Sequence, residues 1–125
     1  ITPNETETEE LTGLPVRSEK EAETAAKFLN ELGVKTPIIT MGEQGAFLHE
    51  HGLIPAFNVG KIVETTGAGD AFNGGFAVAL SEGKSALEAV KFGCAAASIS
   101  VTRAGTAPSM PSRDEVEEIL NVRAN

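Results

Sequence analysis

The chain has 125 residues, enough for one domain with a real core. Its formal charge of −8 excludes non-specific binding to nucleic acid or anionic membranes, which needs a basic surface. No apolar run approaches the roughly 20 residues of a bilayer span, and with neither Trp nor Tyr the chain lacks an aromatic platform for single-stranded nucleic acid. The lone Cys94 cannot form an internal disulfide, which predicts a reducing, cytoplasmic setting. The chain begins with Ile1 rather than Met and reads there as the exit of a strand into Thr2-Pro3-Asn4-Glu5, so a piece of a longer protein is expected, and no signal peptide is read in the sequence.

In chain order, Thr2-Pro3-Asn4-Glu5 reads as a capping box opening a short helix from Pro3 toward Leu11, ended by Gly13 and Pro15. Ser18-Glu19-Lys20-Glu21 reads as a second box. Ala22, Ala25, Ala26, Leu29 and Leu32 follow at helical spacing, and Gly33 is the stop. Pro37-Ile38-Ile39-Thr40-Met41 is a short apolar run of the kind found in buried parallel strands. After Gly42-Glu43-Gln44-Gly45, the runs 46–49 and 53–57 predict a hairpin at a sheet edge, where Pro55 is tolerated.

Lys61-Ile62-Val63 predicts another strand. A helix then runs from Asp70 to about Ser81, with Gly83 after it. Gly74 and Gly75 inside that helix each cost about 1 kcal/mol relative to Ala, which predicts a close-packed neighbour, most simply a backbone. A second helix spans about Ser85 to Val101, and its small-residue centre at 94–98 suits tight approach. A loop covers 102–111, and Ser112-Arg113-Asp114-Glu115 opens a terminal helix through Val116, Ile119 and Leu120. The expected class is α/β, with a mostly parallel sheet and helices on both faces.

The run Glu64-Thr65-Thr66-Gly67-Ala68-Gly69-Asp70 carries the most chemistry. A glycine-rich turn entering a helix aims several backbone N–H groups at one point, which suits an anion. Asp70 there is either an N-terminal helix cap or a base acting on a hydroxyl that attacks a bound phosphoryl group. Two common nucleotide motifs fail. Gly83-Lys84-Ser85 would need a glycine where Val78 stands, and it follows a helix rather than a strand. Gly67-Ala68-Gly69 would need a glycine where Phe72 stands. His49 and His51 alternate near the hairpin turn without a third ligand in sequence and read as exposed turn residues.

The string from Glu64 to Gly75 resembles the second signature of the PfkB/ribokinase family of carbohydrate kinases. Asn4-Glu5-Thr6-Glu7 is similar to that family's Asn-x-x-Glu motif. Thr40-Met41-Gly42-Glu43-Gln44-Gly45 is similar to its nucleotide-phosphate loop, and residues 102–109 to the loop closing its cation and nucleotide site. The four motifs occur in order over the whole chain. The resemblance implies a Rossmann-like three-layer α/β/α fold, of which residues 1–125 supply the nucleotide-binding C-terminal portion, with the sugar-binding half and lid lying upstream.

It implies Asp70 as catalytic base in contact with the acceptor, and Gly67, Ala68 and Gly69 as the anion hole. Asn4, Thr40, Met41, Gly42, Glu43, Gln44, Gly45 and Gly69 would hold the nucleotide, with Cys94 beside the adenine. Glu7 would hold Mg²⁺, chiefly through water. Glu64, Thr66, Ser100, Arg103, Gly105 and Ser109 would hold K⁺, with Glu64 standing where an Asp is common. ATP is the implied co-substrate and a small sugar the acceptor, D-ribose giving ribose 5-phosphate in preference to fructose. A homodimer is implied for the full-length protein. A non-catalytic nucleotide- or anion-binding module is the alternative from another class, and the fragment alone is expected to be inactive.

Overall fold

The computed structural model describes residues 2–57, 60, 62–63, 67–102 and 113–124. The chain divides into two compact units, Ile1–Pro55 and Ala56–Asn125.

In the first unit, α1 spans Glu5–Thr12, starting two residues later than the sequence predicts. The Pro3 carbonyl accepts the Thr40 N–H at 2.9 Å, so residues 2–4 stay extended and Asn4 becomes the cap. The capping box is therefore Asn4 with Glu7, rather than one opening at Thr2. Gly13 closes α1 in the left-handed conformation.

Helix α2 spans Glu19–Glu31. Ser18 Oγ accepts the Glu21 N–H as the second box predicts, but the Glu21 carboxylate accepts the Arg17 N–H instead of closing back on Ser18. Ala22, Ala25, Ala26 and Leu29 are buried, whereas Leu32 ends the helix 65% exposed.

Strands β1 (Ile38–Thr40), β2 (Gly45–Leu48) and β3 (Gly52–Pro55) form a sheet in that order, antiparallel throughout. This corrects the expected parallel strand at 38–40 and the mostly parallel sheet. The connections at 41–44 and 49–51 are three or four residues long, and links that short join only antiparallel neighbours. The parallel pairing among the described residues is one bridge, Asn4 with Thr40. The hairpin forms as predicted. Pro55 lies exposed on the outer strand, and the Leu53 N–H donates to Glu19 Oε2 at 3.2 Å. Val16, the α2 alanines, Ile39, Met41 and Phe47 make the core, with Leu53 packed against it.

In the second unit, α3 (Ala68–Ser81), α4 (Ala86–Ser100) and α5 (Arg113–Ala124) follow one another. The strand predicted at 61–63 does not form at Ile62 and Val63: the Val63 N–H donates to the Val101 carbonyl, outside any ladder. Lys61 and Ser112, the latter the predicted cap of α5, lie outside the described residues.

Helices α3 and α4 pack as the adjacent glycines predict. A Cβ on Gly75 would lie 3.1 Å from Ala96 Cβ and 3.2 Å from the Phe92 carbonyl oxygen. A Cβ on Gly93 would lie 2.9 Å from the Phe72 ring and from its carbonyl oxygen. Phe72 stacks on Phe76 at 6.1 Å between centroids. Val116 of α5 completes this core, with Phe57, Ile119 and Leu120 at its margin. Among the described residues, no helix is long and apolar enough to cross a membrane.

Candidate functional site

Two groups of the predicted residues take defined positions, one in each unit. In the first unit, the start of α1 and the β1–β2 connection are joined through the backbone. The Thr40 N–H and its Oγ1 both reach the Pro3 carbonyl, at 2.9 and 3.5 Å, and Asn4 bridges Thr40. The Asn-x-x-Glu turn and the 40–45 loop thus form one cradle. Pro3, which supplies the joining carbonyl, has no side-chain signal that sequence reading could have used. Glu5 also lies at this junction, its Oε1 3.8 Å from where a Gly42 Cβ would stand.

Within the cradle, Asn4 Oδ1 accepts the Glu7 N–H at 2.8 Å, and Glu7 Oε1 accepts the Asn4 N–H at 2.9 Å. Both side chains are exposed. The 40–45 loop closes by Met41 N–H to the Gly45 carbonyl at 2.8 Å and Gln44 N–H to the Met41 carbonyl at 3.0 Å. Gly45 adopts φ 116° and ψ −134°, a conformation essentially reserved to glycine. Gly42, Glu43 and Gln44 are exposed and available to a ligand, Thr40 is half-buried, and Gly45 is buried. Met41 is also buried, its side chain serving the core. Its predicted ligand contact is thereby limited to backbone.

In the second unit, Gly67 caps α3 in the left-handed conformation at φ 91°. The Ala71 N–H, donating to the Gly67 carbonyl at 2.9 Å, is the first in the helical ladder. The N–H groups of residues 67–70 are therefore left without intrahelical acceptors at the positive end of the helix.

Asp70 is the third residue of the helix rather than its cap. It is exposed and makes no hydrogen bond or ion pair among the described residues. The simple capping role weighed for it is not realised. Gly69 is exposed with nothing within 4 Å of a Cβ built on it, so no packing within the described residues requires glycine there.

At the C-terminal end of α4, Ser100 is fully buried and its Oγ has no hydrogen-bond partner among the described residues. A buried, unsatisfied hydroxyl costs about 1–3 kcal/mol, so a cation ligand fits this oxygen chemically. Cys94 is buried in α4. Glu64, Thr66, Arg103, Gly105 and Ser109 lie outside the described residues. His51 is exposed on the hairpin turn and His49 is half-buried beside it. Among the described residues, no three His, Cys, Asp or Glu side chains are grouped to hold a metal.

Residues 1–113 match the pfkB family carbohydrate kinase. The chain is 49% identical over 123 residues to ribokinase of Haemophilus influenzae, spanning 96% of this chain and 40% of that protein. It superposes with a TM-score of 0.87 on Arabidopsis thaliana ribokinase complexed with ribose and ATP, at 40% identity, covering 95% of this chain and 39% of the other. With Escherichia coli phosphofructokinase-2 in complex with potassium, the TM-score is 0.83 at 28% identity, covering 99% and 40%. The chain spans about 40% of the length of these relatives, and its fold is that of the matching part of ribokinase-like kinases. With the family pattern extending over residues 1–113, the chain belongs to the pfkB family of carbohydrate kinases.

Proposed function

We propose that the chain is the nucleotide-binding C-terminal portion of a sugar kinase that transfers the γ-phosphoryl group of ATP to D-ribose. The observation carrying this reading is Asp70: exposed, without a hydrogen bond or ion pair among the described residues, and set in the first turn of α3, whose N–H groups have no intrahelical acceptors. The acceptor hydroxyl attacks phosphorus, forming the new O–P bond as the bond to the β,γ-bridging oxygen breaks. Its proton passes to the Asp70 carboxylate, and ADP leaves with the bridging oxygen. The N–H groups of Gly67, Ala68 and Gly69 stabilise the charge on the transferring group. Gly69 allows a phosphoryl oxygen to approach the backbone closely.

Asn4, Thr40 and the exposed 42–44 turn hold the nucleotide phosphates, with Cys94 packing near the adenine. Mg²⁺ held through Glu7 would neutralise phosphate charge. K⁺ held at Ser100, with Glu64, Thr66, Arg103, Gly105 and Ser109, would add positive potential. The orphaned Ser100 hydroxyl supports the latter. A cytoplasmic homodimer completes the proposal. Another pfkB-type acceptor, as in a fructokinase-like enzyme, is the second reading, allowed by the family match.

ATP consumption by the full-length protein, measured with ribose, fructose and adenosine in K⁺, Na⁺ and neither, tests this. Ribose is expected to be the fastest acceptor and K⁺ to activate. Equal rates in all three salts would remove the K⁺ site, and no acceptor-dependent turnover would leave a non-catalytic binding module.

A further inference from the structure

Ser98 lies inside α4 and is 6% exposed. A serine within a helix commonly turns its hydroxyl back on its own backbone. Here Ser98 Oγ instead accepts the Phe57 N–H at 3.0 Å, a bond between residues 41 apart in sequence. Two further contacts tie the same stretch of chain to the same helix end. A Cβ on Gly60 would lie 3.5 Å from Thr102 Cγ2, and the Val63 N–H donates at 2.7 Å to the Val101 carbonyl. Val101 is the C-cap of α4, where the helical ladder has no donor left for that carbonyl.

Phe57, Gly60 and Val63 precede Gly67–Asp70 in the chain. After Asp70, Phe72 and Gly75 of α3 rest against Gly93 and Ala96, again of α4. Gly67–Asp70 are thus bracketed by contacts to one helix. Of the contacts before them, the Val101 carbonyl is backbone and Thr102 offers only van der Waals contact. The Ser98 hydroxyl is the polar side-chain tie among the described residues.

We propose that Ser98 is a positioning residue for phosphoryl transfer. By holding the Phe57 N–H it sets the approach of the chain to Gly67–Asp70, and so the aim of the N–H donors and of the Asp70 carboxylate. The inference rests on the sugar-kinase reading above and deepens it by adding a residue remote from the reacting atoms. An error in that aim weakens contacts made in the transition state more than the binding of either substrate.

Steady-state kinetics of full-length Ser98→Ala and Ser98→Gly, with ATP and ribose, test this. Both variants lack the hydroxyl, but alanine favours a helix more than serine does and glycine disfavours it. Each is expected to lose about three- to tenfold in kcat, the factor carried by one neutral hydrogen bond. Both KM values should stay near wild type. The helix propensity of alanine offsets the lost bond, so only Ser98→Gly should show a clearly lower thermal midpoint. Hydrogen exchange at the Phe57 amide should quicken in both variants, while α3 keeps its protection.

Wild-type kcat in Ser98→Ala would overturn the inference. So would kcat losses that follow the thermal midpoints of the two variants, because the bond would then be purely structural. A wild-type protein that transfers nothing to ribose would sink the kinase reading and this inference with it. Normal turnover by Ser98→Ala in an active protein would sink the inference alone.

Discussion

The two units present their candidate residues by different means. In the first, polar backbone bonds do the positioning: Pro3 to Thr40, Asn4 to Glu7 and Met41 to Gly45 hold a helix start and a hairpin loop in one cradle. In the second, positioning comes from close packing. Helix α3 is held against α4 through Gly75 and Gly93, so the direction of its N-terminus, and of Asp70 with it, follows from contacts at Phe72 and Gly75, within about two turns of Asp70. A hydrogen-bonded cradle tolerates side-chain changes that preserve donors and acceptors. A helix seated on glycine does not tolerate added volume.

That contrast can be broken by substitutions that leave the reacting groups alone. The larger effect is expected at Gly93. A methyl group there meets the Phe72 ring and a backbone oxygen at 2.9 Å, so Gly93→Ala should destabilise the full-length protein by about 1–3 kcal/mol. A denaturation midpoint equal to wild type would show that α3 and α4 are not so tightly seated. The smaller effect is expected in the first unit and has the opposite sign. Thr8 is fully buried, and its Oγ1 has no hydrogen-bond partner among the described residues. Thr8→Val keeps the shape and helix propensity while removing the orphaned hydroxyl, and should stabilise by about 1 kcal/mol. A loss of stability would mean that the hydroxyl has a partner, such as a bound water.

Local signals were the legible part of this sequence. The helices at 19–31, 68–81 and 86–100 follow from apolar spacing, caps and glycine stops, and the tight approach at Gly75 follows from a pair of otherwise costly glycines. The hairpin was legible from its turn and from Pro55. Sheet direction was not, because a buried apolar run such as 37–41 has the same composition whether its neighbour runs parallel or antiparallel. Only the short connections settle it. The first helix start was misplaced for a related reason: a long-range bond from Thr40 holds residues 2–4 extended, overriding the local capping preference of Thr2.

Among the candidate residues, Asp70 and the Gly67–Gly69 turn stood out because a carboxylate at an anion site is electrostatically conspicuous. The orphaned Ser100 hydroxyl was placed by resemblance alone. Its burial depends on packing that no sequence spacing encodes. Met41 shows the reverse: it sits within a ligand-like motif, yet its side chain serves the core.

The most direct measurement is single-turnover phosphoryl transfer to ribose by the full-length protein and its Asp70→Asn variant, alongside nucleotide affinity. With Asp70 as the base, the variant should lose roughly 100-fold or more in rate and bind nucleotide as wild type does. Near-normal transfer by the variant would contradict the account.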